Sequence, residues 1–302
     1  MDQSLNWSRR ELWMRKLVYP GHTLPTAAAP ALVAAGLAYH DHALHPAPLA
    51  AAFAAGWLIQ LGGVLTDNYV NLQNEPEDRE HPQLVQALKT GLLSLRTLQV
   101  AIYACFALAF AAGALLLYHA GVGVVVIGTL SVAAALAYSA GPFPLGRIGV
   151  ADPLFFFFFG AVSVAGCYFV QAPQAFPLLA LVFGIPVGAL TTNILIIDDI
   201  RDRDFDVLKG KRTIAVRFGV QWSRREFVAL LALAYASPFW FWQQLGFGEW
   251  ILLPLLTLPF AALTARKVMT LARHEDLIPV TPEMGRLLLA YCALLAAGVA
   301  LA

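Results

Sequence analysis

The stretch NILIIDDIRDRDFDVLKGKRT, residues 193–213, opens as an apolar run and closes in a crowd of charge. Asp198, Asp199, Asp202, Asp204 and Asp206 fall within nine positions, and Lys209, Lys211 and Arg212 follow them. Composition decides what the apolar half is. Hydrophobic residues make up 59% of the 302-residue chain and charged residues 13%. Mean hydropathy is +0.66, outside the range of a soluble domain. Runs of roughly 17–25 apolar residues cross a hydrocarbon core as helices. Nine such spans are expected, near residues 24–40, 47–68, 97–118, 121–139, 151–171, 176–198, 226–245, 250–268 and 285–302. The fold class is all-α, a polytopic membrane protein.

Cations set the orientation of such a chain more strongly than acids do. With these spans, all 20 Lys and Arg residues fall on one face, and the loops HDHALHP, HAG, QAPQA and QLGFGEW on the other carry none. Of the 19 carboxylates only Asp41 and Glu249 lie on the cation-free side. The N-terminus and every basic loop are therefore expected in the cytoplasm, with the protein in the cell (inner) membrane. Residues 1–20, with Trp7, Trp13 and Leu17 among Arg and Lys, suit an interfacial amphipathic segment better than a cleavable signal. Cys105, Cys167 and Cys292 each sit inside an apolar span and read as structural thiols. His40, His42 and His45 share a loop on the cation-free face and read as solvated loop residues.

The acids have a period. Asp198, Asp202 and Asp206 are spaced four apart at the end of span six, and Asp67, Asn71 and Glu75 are spaced four apart at the end of span two. Residues at i, i+4 and i+8 share one helical face with a drift of about 40° per step. On that count Asp199 and Asp204 fall off the face. Each member of one row lies 131 positions from its counterpart in the other. Four spans intervene, so the chain reads as a single domain with a four-span unit used twice, over 21–140 and 150–268, plus a ninth span at 285–302.

Oxygen ligands in opposed rows suit a hard divalent cation, and Mg²⁺ typically takes a few carboxylates together with phosphate oxygens and water. Arg79, Lys209, Lys211 and Arg212 lie close enough in sequence to help hold a diphosphate there. Its apolar tail would lie among the helices or in lipid. The rows would then stand at the cytoplasmic mouth of a central cavity. No nucleic-acid partner is expected.

At these residues the chain resembles the UbiA-type intramembrane prenyltransferases, which carry N-x-x-x-D-x-x-x-D after the second span and D-x-x-x-D-x-x-x-D after the sixth. RDRDFDVLKGKRTIAVRFG and AYSAGPFPLGRIGVADPLFFFFFG, the latter at 137–160, resemble the branch acting on 1,4-dihydroxy-2-naphthoate in menaquinone synthesis. PGHTLPTAAAPALVAAGLA and REHPQLVQALKTGLLS are similar to two further segments of that branch, so the likeness covers most of residues 20–220. The first motif departs from the family: it reads Asp67-Asn68-Tyr69-Val70-Asn71, with an amide where the second carboxylate is expected. Glu75, Glu77 and Asp78 all compete to complete it. The usual N-terminal Arg-Pro is Tyr19-Pro20.

The resemblance implies Mg²⁺-dependent transfer of a polyprenyl group from its diphosphate to an aromatic acceptor, 1,4-dihydroxy-2-naphthoate or another quinone or lipid precursor such as hydroxybenzoate. Two Mg²⁺ ions would be held by Asp67, Asn71, Glu75, Asp198, Asp202 and Asp206. Asp202 and Asp206 would be essential to the reaction. An allylic cation favours aromatic faces, for which Tyr69 and Tyr138 are candidates, while Phe155–Phe159 read mainly as packing. Asp152 is a candidate for acceptor or Mg²⁺ contact. A CDP-alcohol phosphotransferase would need an upstream D-G-x-x-A-R, which is missing. A divalent-cation transporter would want charges at mid-membrane, where these spans have almost none. A receptor or structural membrane protein would have no use for two matched acid rows.

Overall fold

In the computed structural model, residues 8–13, 23–74, 82–141, 144–173 and 177–302 are described. A short helix α1 (Arg9–Leu12) is closed by a reciprocal cap: the Ser8 backbone N–H donates to Glu11 Oε2 and the Glu11 N–H to Ser8 Oγ. There follow α2 (Thr23–His40), α3 (Pro46–Asn74), the short amphipathic α4 (Pro82–Lys89), α5 (Leu95–Ala120) and α6 (Gly123–Ser139). The next rod runs from Ala151 to Gln171 as α7 (Ala151–Phe155), a π-helical stretch (Phe156–Val162) and α8 (Ser163–Gln171). Then come α9 (Leu178–Leu208), the turn-like α10 (Ile214–Arg217), α11 (Val220–Gln244), and a 3₁₀ stretch Glu249–Thr257 continuing into α12 (Leu258–Thr270). The short α13 (His274–Leu277) leads into α14 (Val280–Leu301). Each expected span thus has a helical rod in the same order. Among the described residues, six rods are long and apolar enough to cross a membrane by length and composition, and the chain is a multi-pass membrane protein. Helices are the natural answer there, since they satisfy every backbone polar group within the segment.

Helix α9, which carries the opening stretch of sequence, is the axis of the bundle. Of its apolar window 83% is buried inside the protein, against 22% for α3 and for α5, which leave most of theirs to lipid. The main core gathers around it: Leu37 of α2, Phe183 and Leu190 of α9, Phe227 of α11 and Tyr291 of α14 are all fully buried. A second core joins α3, α4 and α5 through Leu65, Leu72, Leu84 and Leu98, and Leu12 and Trp13 of the N-terminal segment pack onto it.

The π-helical stretch meets α9 backbone to backbone. A methyl at Gly160 would stand 2.5 Å from the Gly184 carbonyl, and one at Gly188 would stand 2.3 Å from the Phe156 carbonyl. Small residues at such a crossing give helices close van der Waals contact where no hydrophobic effect drives association. This contact sets α7, with Asp152, against the charged half of α9.

Candidate active site

The charged ends of α3 and α9 converge. On α3, Asp67 accepts two hydrogen bonds: Oδ1 from Ser139 Oγ at 2.7 Å, Oδ2 from Asn71 Nδ2 at 3.1 Å. Asn71 is buried and presents its amide nitrogen to Asp67, leaving its carbonyl oxygen as the group able to ligate a cation. Asn68 instead donates to its own helix at the Val64 carbonyl. Glu75 and Arg79, expected to complete the first row and to hold diphosphate, lie outside the described residues.

Tyr138, at the end of α6, is the aromatic at the meeting point. Asp67 of α3 and Asp198, Asp199 and Asp206 of α9 all lie within electrostatic reach of its hydroxyl. Its ring packs on Gly146, where a methyl would stand 2.9 Å away, and lies 5.6 Å from the Phe155 ring, which in turn lies 4.8 Å from Phe159. Two of the five phenylalanines thus extend the aromatic wall, while Phe157 faces outward.

The row on α9 divides by phase. Asp198 and Asp202 turn to Arg201, whose Nε donates to Asp202 Oδ1 at 2.8 Å and whose Nη1 pairs with Asp198. Asp206 pairs instead with Lys211 Nζ at 2.8 Å. Asp199, set off the face by four-residue counting, belongs with Asp206: its electrostatic neighbours are Asp152, Asp206, Lys211 and Asp198. Residues seven apart on a helix differ by only about 20°, less than the 40° drift across four.

The basic loop after α9 is held by its backbone. The Lys211 N–H donates to the Asp206 carbonyl at 2.9 Å, and the Arg212 N–H donates to the Arg147 carbonyl at 2.8 Å. Gly149 makes this docking possible. Its φ of +76° is a conformation that L-residues avoid, and a methyl there would stand 2.4 Å from the Arg212 carbonyl. Lys211 is consequently committed to Asp206, while the Arg212 side chain is exposed and Lys209 partly so. Arg224, one of the cations read only as a topology signal, is buried and caps α12 through the Val268 and Leu271 carbonyls at 2.9 and 2.7 Å.

Asp152 is 3% exposed, and neither of its carboxylate oxygens has a hydrogen-bond partner among the described residues. Buried carboxylates are ordinarily paired, and this one has Asp199 and Glu226 as its charged neighbours. Tyr69 is not among these groups. Its hydroxyl accepts a hydrogen bond from Gln99 Nε2 of α5 at 2.7 Å, and its ring packs against the second core. Two further residues contact the acids from a part of the chain that no motif marks: His274 Nδ1 lies 3.1 Å from Asp202 Oδ1, and Thr281 Oγ1 donates to Asp198 Oδ1 at 2.6 Å.

The side chains of the two rows, Asp67, Asn71, Asp198, Asp202 and Asp206, offer oxygen, which suits Mg²⁺. Among the described residues, no three His, Cys, Asp or Glu side chains form a ready cage.

Comparison with known proteins bears on this geometry. The family model of the UbiA prenyltransferase family matches residues 27–281. The 1,4-dihydroxy-2-naphthoate octaprenyltransferase of Escherichia coli K12 is 28% identical over 287 residues, covering 92% of this chain and 91% of that protein. Its namesake from Mycobacterium tuberculosis H37Rv is 28% identical over 279 residues, covering 92% and 94%. Among solved structures, the apo UbiA homolog from Aeropyrum pernix K1 superposes with a TM-score of 0.64 at 22% identity, covering 94% of this chain and 98% of that one. A UbiA homolog from Archaeoglobus fulgidus bound to GPP and Mg²⁺ superposes with a TM-score of 0.62 at 14% identity, covering 93% and 98%. With acids and a tyrosine gathered at one end of its helix bundle, and a family match running from α2 to α14, this chain belongs to the UbiA prenyltransferase family and is a prenyltransferase.

Proposed function

We propose that the protein transfers a polyprenyl group from polyprenyl diphosphate to 1,4-dihydroxy-2-naphthoate, serving menaquinone synthesis from the cytoplasmic side of the membrane. The observation that carries the reading is the convergence of Asp67, Asp199 and Asp206 on Tyr138 beneath a docked basic loop. The acceptor assignment draws on the relatives' names and on the segments 137–160 and 201–219 that resemble that branch. Asp67, Asn71, Asp198, Asp202 and Asp206 are the residues that would hold Mg²⁺, with Glu75 a further candidate. When bound, Mg²⁺ supplies positive charge that stabilises a departing diphosphate.

The chain's own groups have separate tasks. Lys209, Lys211 and Arg212, with Arg79, bind the diphosphate and stabilise the charge that gathers on it as the allylic C–O bond breaks. The Tyr138 and Phe155 faces attract the allylic cation and exclude water from it. Asp152, buried and with no hydrogen-bond partner for either oxygen among the described residues, would accept a hydrogen bond from an acceptor hydroxyl. Such a bond would orient the ring and raise electron density at the attacking carbon.

The test is Mg²⁺-dependent release of diphosphate from a polyprenyl diphosphate, with and without 1,4-dihydroxy-2-naphthoate, and mass spectrometry of the lipid product. Prenylated naphthoquinone is the expected product. Turnover with 4-hydroxybenzoate and none with the naphthoate would overturn the acceptor assignment while leaving the family intact.

A further inference from the structure

Asp198 and Asp202 receive hydrogen bonds from the far end of the chain. Thr281, the second residue of α14, is 3% exposed; its hydroxyl donates to Asp198 Oδ1 at 2.6 Å and accepts from Arg201 Nη1 at 3.3 Å. His274, which opens α13, has Nδ1 3.1 Å from Asp202 Oδ1 and 3.2 Å from the Arg201 carbonyl. Both neighbours of Nδ1 are acceptors, so this nitrogen carries the proton and donates. The imidazole ring is held edge-on to Phe205, with centroids 5.3 Å apart.

Arg201 and the two α13–α14 donors differ in kind. Arg201 is a cation on the same helix, engaging both oxygens of Asp202 and one of Asp198. A divalent ion entering the row competes with that charge directly. The threonine hydroxyl is neutral, and His274 can donate from Nδ1 without carrying charge. Both are anchored on other helices, so they can keep their bonds to the carboxylates when Arg201 lets go. Outer hydrogen bonds of this kind orient metal ligands and raise metal affinity.

We infer that Thr281 and His274 are positioning residues for the second acid row, holding Asp198 and Asp202 in the orientation that binds a divalent cation. The inference rests on the reading of that row as metal-binding. It assigns a role to α13 and the first turn of α14, which carry no family motif quoted above.

The test measures binding of Mn²⁺ alone, by electron paramagnetic resonance, to the full-length protein in detergent. Thr281→Val keeps shape and volume but loses the donor, Thr281→Ser keeps it, and His274→Asn keeps a donor where His274→Leu does not. The Mn²⁺ dissociation constant should rise roughly tenfold in Thr281→Val and His274→Leu, and stay within about threefold of wild type in Thr281→Ser and His274→Asn. Thr264→Val, which removes a buried hydroxyl bonded only to its own helix at Phe260, should bind as wild type does. Wild-type Mn²⁺ affinity in folded Thr281→Val and His274→Leu would overturn the inference. Equal weakening by Thr264→Val would reduce it to a packing effect. If Asp202→Asn itself leaves Mn²⁺ binding unchanged, the metal reading of the row falls, and the inference with it. Should Thr281→Val fail to fold, the two His274 variants decide.

Discussion

Gly149→Ala tests whether the docked basic loop matters to the reaction, and Gly210→Ala is its internal control. Both glycines have positive φ, +76° and +68°, so alanine at either carries the left-handed penalty of about 1–2 kcal/mol. Their surroundings differ. A methyl at Gly210 meets nothing within 4 Å, whereas one at Gly149 stands 2.4 Å from the Arg212 carbonyl and 3.2 Å from Arg217 Cδ. Real Cβ contacts essentially never fall below 3.0 Å, so the 212 segment must move away by 0.6 Å or more. That movement strains or breaks the 2.8 Å bond from the Arg212 N–H to the Arg147 carbonyl, a further 0.5–1.5 kcal/mol or so. The total of about 1.5–3.5 kcal/mol falls on the contact that places Lys211 and Arg212. At about 1.4 kcal/mol per factor of ten, kcat/KM for the prenyl diphosphate should fall by roughly 10- to 300-fold in Gly149→Ala. Gly210→Ala should lose at most about 5- to 30-fold, from backbone strain alone, and less than Gly149→Ala in the same assay. The assay is initial-rate diphosphate release over a range of prenyl diphosphate concentrations. Wild-type kcat/KM in a folded Gly149→Ala protein, or an equal loss in both variants, would refute the reasoning.

Other perturbations follow from the same geometry. Asp202→Asn or Asp206→Asn should abolish prenyl transfer while leaving a folded membrane protein, as checked by turnover and by thermal unfolding in detergent. Lys211→Ala removes the ion pair to a buried Asp206; affinity for inorganic diphosphate should weaken by about 1.5–3 kcal/mol, roughly ten- to a hundredfold in a binding titration. Tyr138→Phe keeps the aromatic face and should retain most activity, whereas Tyr138→Leu should lower kcat by about tenfold, from about 0.5–2 kcal/mol of cation–π stabilisation. Asn71→Asp replaces the 3.1 Å hydrogen bond to Asp67 by two facing carboxylates. Their repulsion, about 4 kcal/mol at 4 Å and an effective dielectric of 20 before relaxation, should lower stability without metal and lower the Mg²⁺ concentration for half-maximal rate. An unchanged metal midpoint would remove Asn71 from the metal site.

The membrane-spanning plan could be read along the chain because its physics is local. A run of apolar residues crosses lipid whatever its neighbours do, so each expected span has its helix in order. Acids at helical spacing likewise announce a shared face, and Asp67, Asp198 and Asp206 do lie around one tyrosine. The site was less legible where tertiary context chooses among equivalent phases. Four-residue counting set Asp199 aside, yet a rod packed on several sides turns whichever phase its neighbours require, and here that brings Asp199 beside Asp206 and Asp152. Tyr69, a candidate for its aromatic face, has surroundings that the motif did not foretell: Gln99 of α5 holds its hydroxyl and its ring packs on the second core.

What the sequence by itself determined is thus the all-helical membrane class, the gathering of charge at one face, and two oxygen-bearing helix ends with a basic loop. Each depends on hydropathy or on the 3.6-residue period, and neither needs a distant partner. Only the tertiary structure decided that α9 is the axis, that Gly149 docks the basic loop, and that Asp152 is buried beside Asp199 and Glu226. It alone joined Thr281 and His274 to acids some eighty positions away. A hydrogen bond between residues so far apart leaves no periodic trace in either segment, because its geometry comes into being only when the helices between them have packed.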